Sequence, residues 1–214
     1  MMSKTVTIVD YRIGNLFSVA RAIEAVGAKP VFASRYAEVR DAERLLLPGV
    51  GAFEACAAGL RETGLADGVK AFVQTGRPFL GICVGMQLLF DYSLEFGRHE
   101  GLGLIPGHVG PIPSQDATGS RKVPHIGWSR FLLPETRDNW QDTALADMPP
   151  EASAYFVHSF NCFPEDDGWR LANADYQGYK VCAGVQRDNM TAFQCHPEKS
   201  GKVGLKIVSN FLDQ

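Results

Sequence analysis

The feature that most constrains this chain is RPFLGICVGMQLLF, residues 77–90, where a strand pattern gives way to a helix pattern at a cysteine. Pro78, Phe79, Leu80, Gly81 and Ile82 make an apolar run of strand length, and beyond Cys83 the residues Met86, Leu89 and Phe90 fall at three-and-four spacing. Gly81, Cys83 and Gly85 spell G-x-C-x-G, the thiol counterpart of a nucleophile elbow, in which small flanking residues let the backbone turn sharply and lift a side chain above a sheet. At the N-terminus of the expected helix the sulfur would feel the positive end of the helix dipole and unpaired N–H groups, which favour the thiolate. The same N–H groups suit an oxyanion. Taken alone, a cysteine in an apolar run reads equally as a small buried hydrophobe.

A reactive cysteine needs a base, and QCHPEKSG, residues 194–201, supplies one after the apolar run Met190 to Phe193. Only Pro197 separates His196 from Glu198. Residues i and i+2 of an extended segment share a face, and a residue before proline is biased toward extended backbone, so the carboxylate can orient the imidazole. His125 and His158 are weaker candidates, since each lies among apolar neighbours with no carboxylate two residues on. The expected constellation is a Cys83-His196-Glu198 triad, distant along the chain and convergent in space.

The remaining chain predicts one domain over residues 1–214. Thr5 to Asp10 reads as a strand, Gly14 to Val26 as a helix stopped by Gly27, Lys29 to Ser34 as a strand, Tyr36 to Glu43 as a short polar helix, and Arg44 to Leu47 as a buried strand ending at Pro48. PGVGAFEACAAGL, residues 48–60, is a Gly-rich turn opening a helix, and Glu54 occupies the place of the third glycine that a dinucleotide-binding turn requires. Gly64 to Thr75 is helix-like, Asp91 to Gly107 reads as a loop with a strand inside it, and His108 to Ser120 as an irregular segment or tight hairpin. Val123 to Leu133, Ala154 to Phe160, Arg170 to Ala174, Lys180 to Gln186 and Met190 to Cys195 are strand-like, with one short helix at Asn139 to Asp147 and a final amphipathic helix from Gly201 to Leu212. The expected class is α/β: a mostly parallel central sheet flanked by helices, with added antiparallel edge strands.

A net charge of −3 with no basic stripe excludes the footprint of a nucleic-acid binder. No apolar stretch reaches membrane length, and MMSKTVTIVD enters a strand pattern with no signal-peptide core. The five cysteines are odd in number and contain no C-x-x-C pair, so neither a disulfide framework nor a structural zinc site is expected, and a reducing cytoplasm fits best.

GICVGMQ together with HPE resembles the class I, triad-type glutamine amidotransferases. LPGVGAF (47–53), KVPHIGW (122–128), YFVHSF (155–160) and HPEKSG (196–201), in this order, resemble more narrowly the glutaminase subunits of imidazole glycerol phosphate synthase. The resemblance runs from about Val9 to the C-terminus. It implies that Cys83 attacks the side-chain amide of glutamine, with His196 and Glu198 completing the triad, and that Val84 and the turn Gly49, Val50 and Gly51 supply oxyanion donors. Gln87 and Glu95 would bind the amino-acid end of glutamine, and the backbone around Ser159 and Phe160 its carboxylate. The segment around His125 and Trp128 would face a synthase subunit of (β/α)8 type, which uses the ammonia in histidine biosynthesis; no metal or cofactor is implied. An acceptor-synthesising barrel of about 250 residues is not accommodated in this chain.

Two positions depart from the family pattern, Ser129 where Asn is usual and Cys195 where a bulky aromatic precedes the histidine, while Phe160 stands where Tyr or Phe is found. Ser129 falls in the partner-facing segment, so a paralogous subunit feeding a different synthase, for instance in surface-sugar biosynthesis, is the alternative. A cysteine peptidase or chaperone-like protein with the same elbow, and a non-catalytic binding subunit, are the readings from other classes.

Overall fold

In the computed structural model, which describes residues 4–117 and 119–214, nine strands hydrogen-bond into one sheet. From edge to edge they are Ser153–His158, His125–Leu132, Arg170–Tyr176, Tyr179–Arg187, Met190–Phe193, Phe79–Ile82, Leu45–Leu47, Thr5–Val9 and Lys29–Ala33. The last five run parallel to one another, and the first four extend the sheet antiparallel from Met190–Phe193. This is the α/β class expected, with the antiparallel addition at one edge. Strand Leu45–Leu47 is apolar at every position because both faces of a parallel sheet are covered. Helices Leu16–Ala25 and Gly201–Leu212 pack together, as do Tyr36–Arg40 and Phe53–Glu62 with Leu65–Val73. Ile8, Leu46, Phe79, Phe156, Phe193 and Phe211 fill the core between these layers. Among the described residues no helix is long and apolar enough to cross a membrane.

Three elements differ from expectation. The helix after Cys83 is a single turn, Val84–Gln87, and the chain re-enters a strand at Phe90. The carbonyls of Leu88 and Leu89, which a longer helix would use, instead accept hydrogen bonds from the N–H groups of Leu102, Leu104 and Ile105 at 2.8–2.9 Å. The region Asn139 to Asp147 forms turns rather than a helix: Asp142 and Asp147 are left-handed (φ 60° and 57°), and the Trp140 indole N–H donates to Leu171 O at 2.8 Å.

The third difference is a second sheet of four strands, Phe160–Pro164, Ile105–Pro111, Phe90–Ser93 and His99–Glu100. IPGHVGP carries too much Gly and Pro to read as a strand, and its pairing is tertiary. At Gly107 a Cβ would stand 2.3 Å from Phe163 O, so only glycine allows that approach. The expected strand Ala154 to Phe160 splits at Ser159, with Ser153–His158 in the large sheet and Phe160–Pro164 in the small one.

Candidate active site

Strand register explains how distant motifs meet. Leu47 pairs with Gly81, and Ile82 with Phe193, in three neighbouring parallel strands; the Cys83 N–H donates to Phe193 O at 2.8 Å. The turn at Pro48, the cysteine and the segment from Gln194 to His196 therefore leave the sheet side by side at the carboxyl ends of the strands, where open α/β sheets hold ligands.

Cys83 adopts φ 55°, ψ −114°, a conformation costing an L-residue on the order of 1–3 kcal/mol. The glycines make it possible. A Cβ on Gly85 would lie 2.0 Å from Leu47 O, and one on Gly81 would lie 2.9 Å from Ala192 Cβ and 3.0 Å from Gly85 O. With one helical turn behind it, the elbow offers orphan N–H groups from its first residues but little macrodipole, so local N–H donation is the main electrostatic asset.

His196 Nδ1 and Glu198 Oε1 are 2.8 Å apart, and the two side chains are 3% and 2% exposed. His196 itself is extended, as its place before Pro197 dictates, but Glu198 lies in a short 3-10 turn, Pro197–Lys199. The turn is anchored from below: the His196 N–H donates to Tyr155 O, and Ser200 Oγ donates to His196 O while accepting from Tyr155 N. Burial pulls the imidazole pKa down, but its interactions with Cys83 and Glu198 outweigh that and raise it to about 9. Glu198 occupies Nδ1, which leaves Nε2 for the cysteine.

Cys83 and His196, two members of the expected triad, line a cavity of about 390 Å³, together with the expected Val84, Val50, Gly51, Gln87, Glu95, Ser159 and Phe160. Gly49 does not reach it. A Cβ there would stand 2.7 Å from Gly85 N and 2.8 Å from Val84 Cβ, so Gly49 serves close packing of the turn on the elbow. The turn is tethered on its inner side, where the buried Tyr11 hydroxyl donates to Pro48 O at 2.7 Å and the Cys56 thiol to Val50 O at 3.3 Å. Glu95 Oε2 accepts the Phe53 N–H at 2.6 Å, capping the helix that follows the turn while its side chain lines the cavity.

Two residues at the site, Gln194 and Lys199, are not singled out by the sequence. Gln194, fully buried, accepts from Gln87 Nε2 at 3.0 Å and donates to Cys83 Sγ at 3.8 Å. Lys199 and His158 also line the cavity. Gln194 lies two residues before His196, on the same strand extension, and that spacing was the available signal. Of the five cysteines only Cys83 lines the cavity; Cys56, Cys162, Cys182 and Cys195 have thiol pKa values pushed up by burial.

The two residues expected at a partner interface separate. Trp128 is 59% exposed beside exposed Ile126, whereas His125 is 1% exposed. On a strand, residues of odd spacing point to opposite faces, and His125 is turned inward against Phe156 and Tyr176. Its side chain is thus interior, a correction to the expected surface role.

A family model described as "Glutamine amidotransferase class-I" matches residues 7–214. The chain is 46% identical to "Imidazole glycerol phosphate synthase subunit HisH 1" of Legionella pneumophila, with 97% of this chain and 98% of that protein covered. It is 44% identical to "Imidazole glycerol phosphate synthase subunit HisH" of Geobacter metallireducens, with 97% of each covered. Among solved structures, a chain of PurLQS from Thermotoga maritima shares the fold with a TM-score of 0.74 at 21% identity, covering 99% of both chains.

Proposed function

The chain belongs to the class I glutamine amidotransferases, and on that premise we propose that it is the glutaminase subunit of an imidazole glycerol phosphate synthase, working as one catalytic domain. Full-length similarity to curated relatives of that name supports the histidine-pathway assignment over a paralogue serving another synthase.

The chemistry follows from the site. The Cys83 thiolate attacks the side-chain amide carbon of glutamine, and the carbonyl oxygen takes the negative charge into N–H donors from Val84 and the Val50-Gly51 turn. His196, held by Glu198, gives its proton to the departing nitrogen, so that ammonia leaves and a thioester remains. Water then loses a proton to His196, attacks the thioester carbon and releases glutamate, returning the thiolate. Gln87, Glu95 and the backbone at Ser159 and Phe160 would orient the amino-acid end. The ammonia passes to a (β/α)8 synthase subunit docked over the strand that carries Trp128, in a cytoplasmic heterodimer.

The observation that carries this reading is the meeting of Cys83 and His196 at one cavity wall, with Glu198 hydrogen-bonded to His196 behind it. A glutamine-like chloroketone tests it: intact-protein and peptide mass spectrometry is expected to find Cys83 alone alkylated, with glutamine protecting it. Modification of another cysteine at equal rate, or none at Cys83, would overturn the assignment.

A further inference from the structure

A row of hydrogen bonds runs inward from the strand bearing Trp128 to the cavity wall. Ser129 Oγ lies 2.9 Å from His125 Nε2, His125 Nδ1 lies 2.9 Å from His158 Nε2, and His158 Nδ1 lies 2.7 Å from Phe160 O. His158 and Phe160 line the cavity; Ser129 and His125 do not. The His125 ring is clamped between the rings of Phe156 and Tyr176, with centroids at 5.0 and 4.0 Å, so it cannot swing away from the row.

The direction of the row is set from one end. Burial holds the His125 pKa down to about 4, and burial foremost holds that of His158 down to about 3, so both rings are neutral near pH 7. A neutral imidazole has one N–H donor and one acceptor nitrogen. The Phe160 carbonyl can only accept, so His158 carries its proton on Nδ1 and accepts at Nε2. His125 must then donate from Nδ1 and accept at Nε2, which leaves the Ser129 hydroxyl as the donor that closes the row.

We infer that Ser129 is a positioning residue for glutamine binding: its hydroxyl satisfies His125 Nε2 at the outer end of a row whose tautomers the Phe160 carbonyl sets, and so holds His125, His158 and the Phe160 carbonyl in place beside the Ser159 crossover. That crossover is where the chain passes from the large sheet to the small one, and Ser159 O is further tied to the Ile112 N–H at 2.9 Å. The inference rests on the glutaminase reading for its substrate, but its tautomer pattern stands on the structure alone.

The test compares Ser129→Thr with Ser129→Val, which match in shape and differ in the hydroxyl, in the full chain bound to its synthase subunit. Loss of one closing hydrogen bond is expected to raise KM for glutamine about fivefold in Ser129→Val, with kcat within about twofold, while Ser129→Thr keeps both near wild type. Long-range 15N–1H spectra of the free chain are expected to show both rings protonated on Nδ1 in the wild type and a shifted His125 Nε2 resonance in Ser129→Val only. Protonation of His158 on Nε2 in the wild type would overturn the inference. So would equal impairment of the two variants, or an unchanged KM and unchanged spectrum in Ser129→Val. If the wild-type complex fails to hydrolyse glutamine, the functional reading falls while the spectra still decide the row.

Discussion

Gly85→Ala perturbs the elbow where it has least room. The added Cβ would sit 2.0 Å from Leu47 O, 2.9 Å from Leu47 C and 3.2 Å from Pro48 C, all backbone atoms. Leu45–Leu47 is paired on both sides, to Phe79–Ile82 and to Thr5–Val9, so it cannot yield without opening the sheet. Overpacking that side chains can absorb costs about 1–3 kcal/mol, and a fixed carbonyl puts this site at the upper end, roughly 3 kcal/mol. Gly51→Ala is the matched control: nothing lies within 4 Å of its Cβ, but φ is +85°, for a strain of about 1 kcal/mol. With a urea m-value of about 2.5 kcal/mol/M, the expected losses in unfolding midpoint are about 1.2 M for Gly85→Ala and about 0.4 M for Gly51→Ala. Circular dichroism against urea measures both, and chloroketone alkylation of the folded fraction reports whether Cys83 keeps its place. A Gly85→Ala midpoint as high as that of Gly51→Ala would refute the steric account of the G-x-C-x-G motif.

Other outcomes follow from the same geometry. Glu198→Gln is expected to lower kcat by about 10³- to 10⁴-fold with the fold retained, because it removes the charge that orients His196. By NMR the wild-type His196 ring should titrate near pH 9, and lower in Glu198→Gln. Since that folded-state value lies above the ordinary 6.5, the stability His196 contributes is fully present below pH 6.5 and is lost as pH rises through 9; urea midpoints across that range should fall less in Glu198→Gln than in the wild type. Trp128→Ala is expected to weaken binding of the synthase subunit by at least about 30-fold, measured by calorimetry, with no change in Tm, since the side chain is exposed in the free chain. Glutaminase turnover should rise at least about 100-fold from the chain alone to the complex with partner and acceptor nucleotide, the worth of one oxyanion donor completed at the Val50-Gly51 turn; full activity of the isolated chain would exclude such a switch.

The parallel half of the sheet and its carboxyl-end motifs were legible because each rests on local pattern. GICVG needs its glycines for contacts that occur within the turn and with the next strand, and pre-proline His196 is extended for a local steric reason. The small sheet was not legible, because Ile105–Pro111 becomes a strand only by pairing with Phe160–Pro164 and Phe90–Ser93 and by the Ile105 N–H donating to Leu89 O. The length of the elbow helix failed for the same reason. His125 shows the limit of motif transfer: KVPHIGW marks a surface strand, yet strand alternation turns the histidine inward and leaves Trp128 outside. Gln194 and Lys199 flank the histidine closely and went unread because neither residue type announces chemistry without the cavity around it.

If Cys83 is the nucleophile, it alone makes glutamine nitrogen available to a partner. The most direct measurement is product formation by the synthase complex, driven by glutamine or by ammonium salt at raised pH, with wild type and Cys83→Ala side by side. Cys83→Ala is expected to lose glutamine-dependent turnover by several orders of magnitude, to keep its Tm and partner affinity, and to retain ammonia-dependent turnover. Glutamine-dependent turnover near the wild-type rate in Cys83→Ala would contradict the assignment of Cys83 as nucleophile.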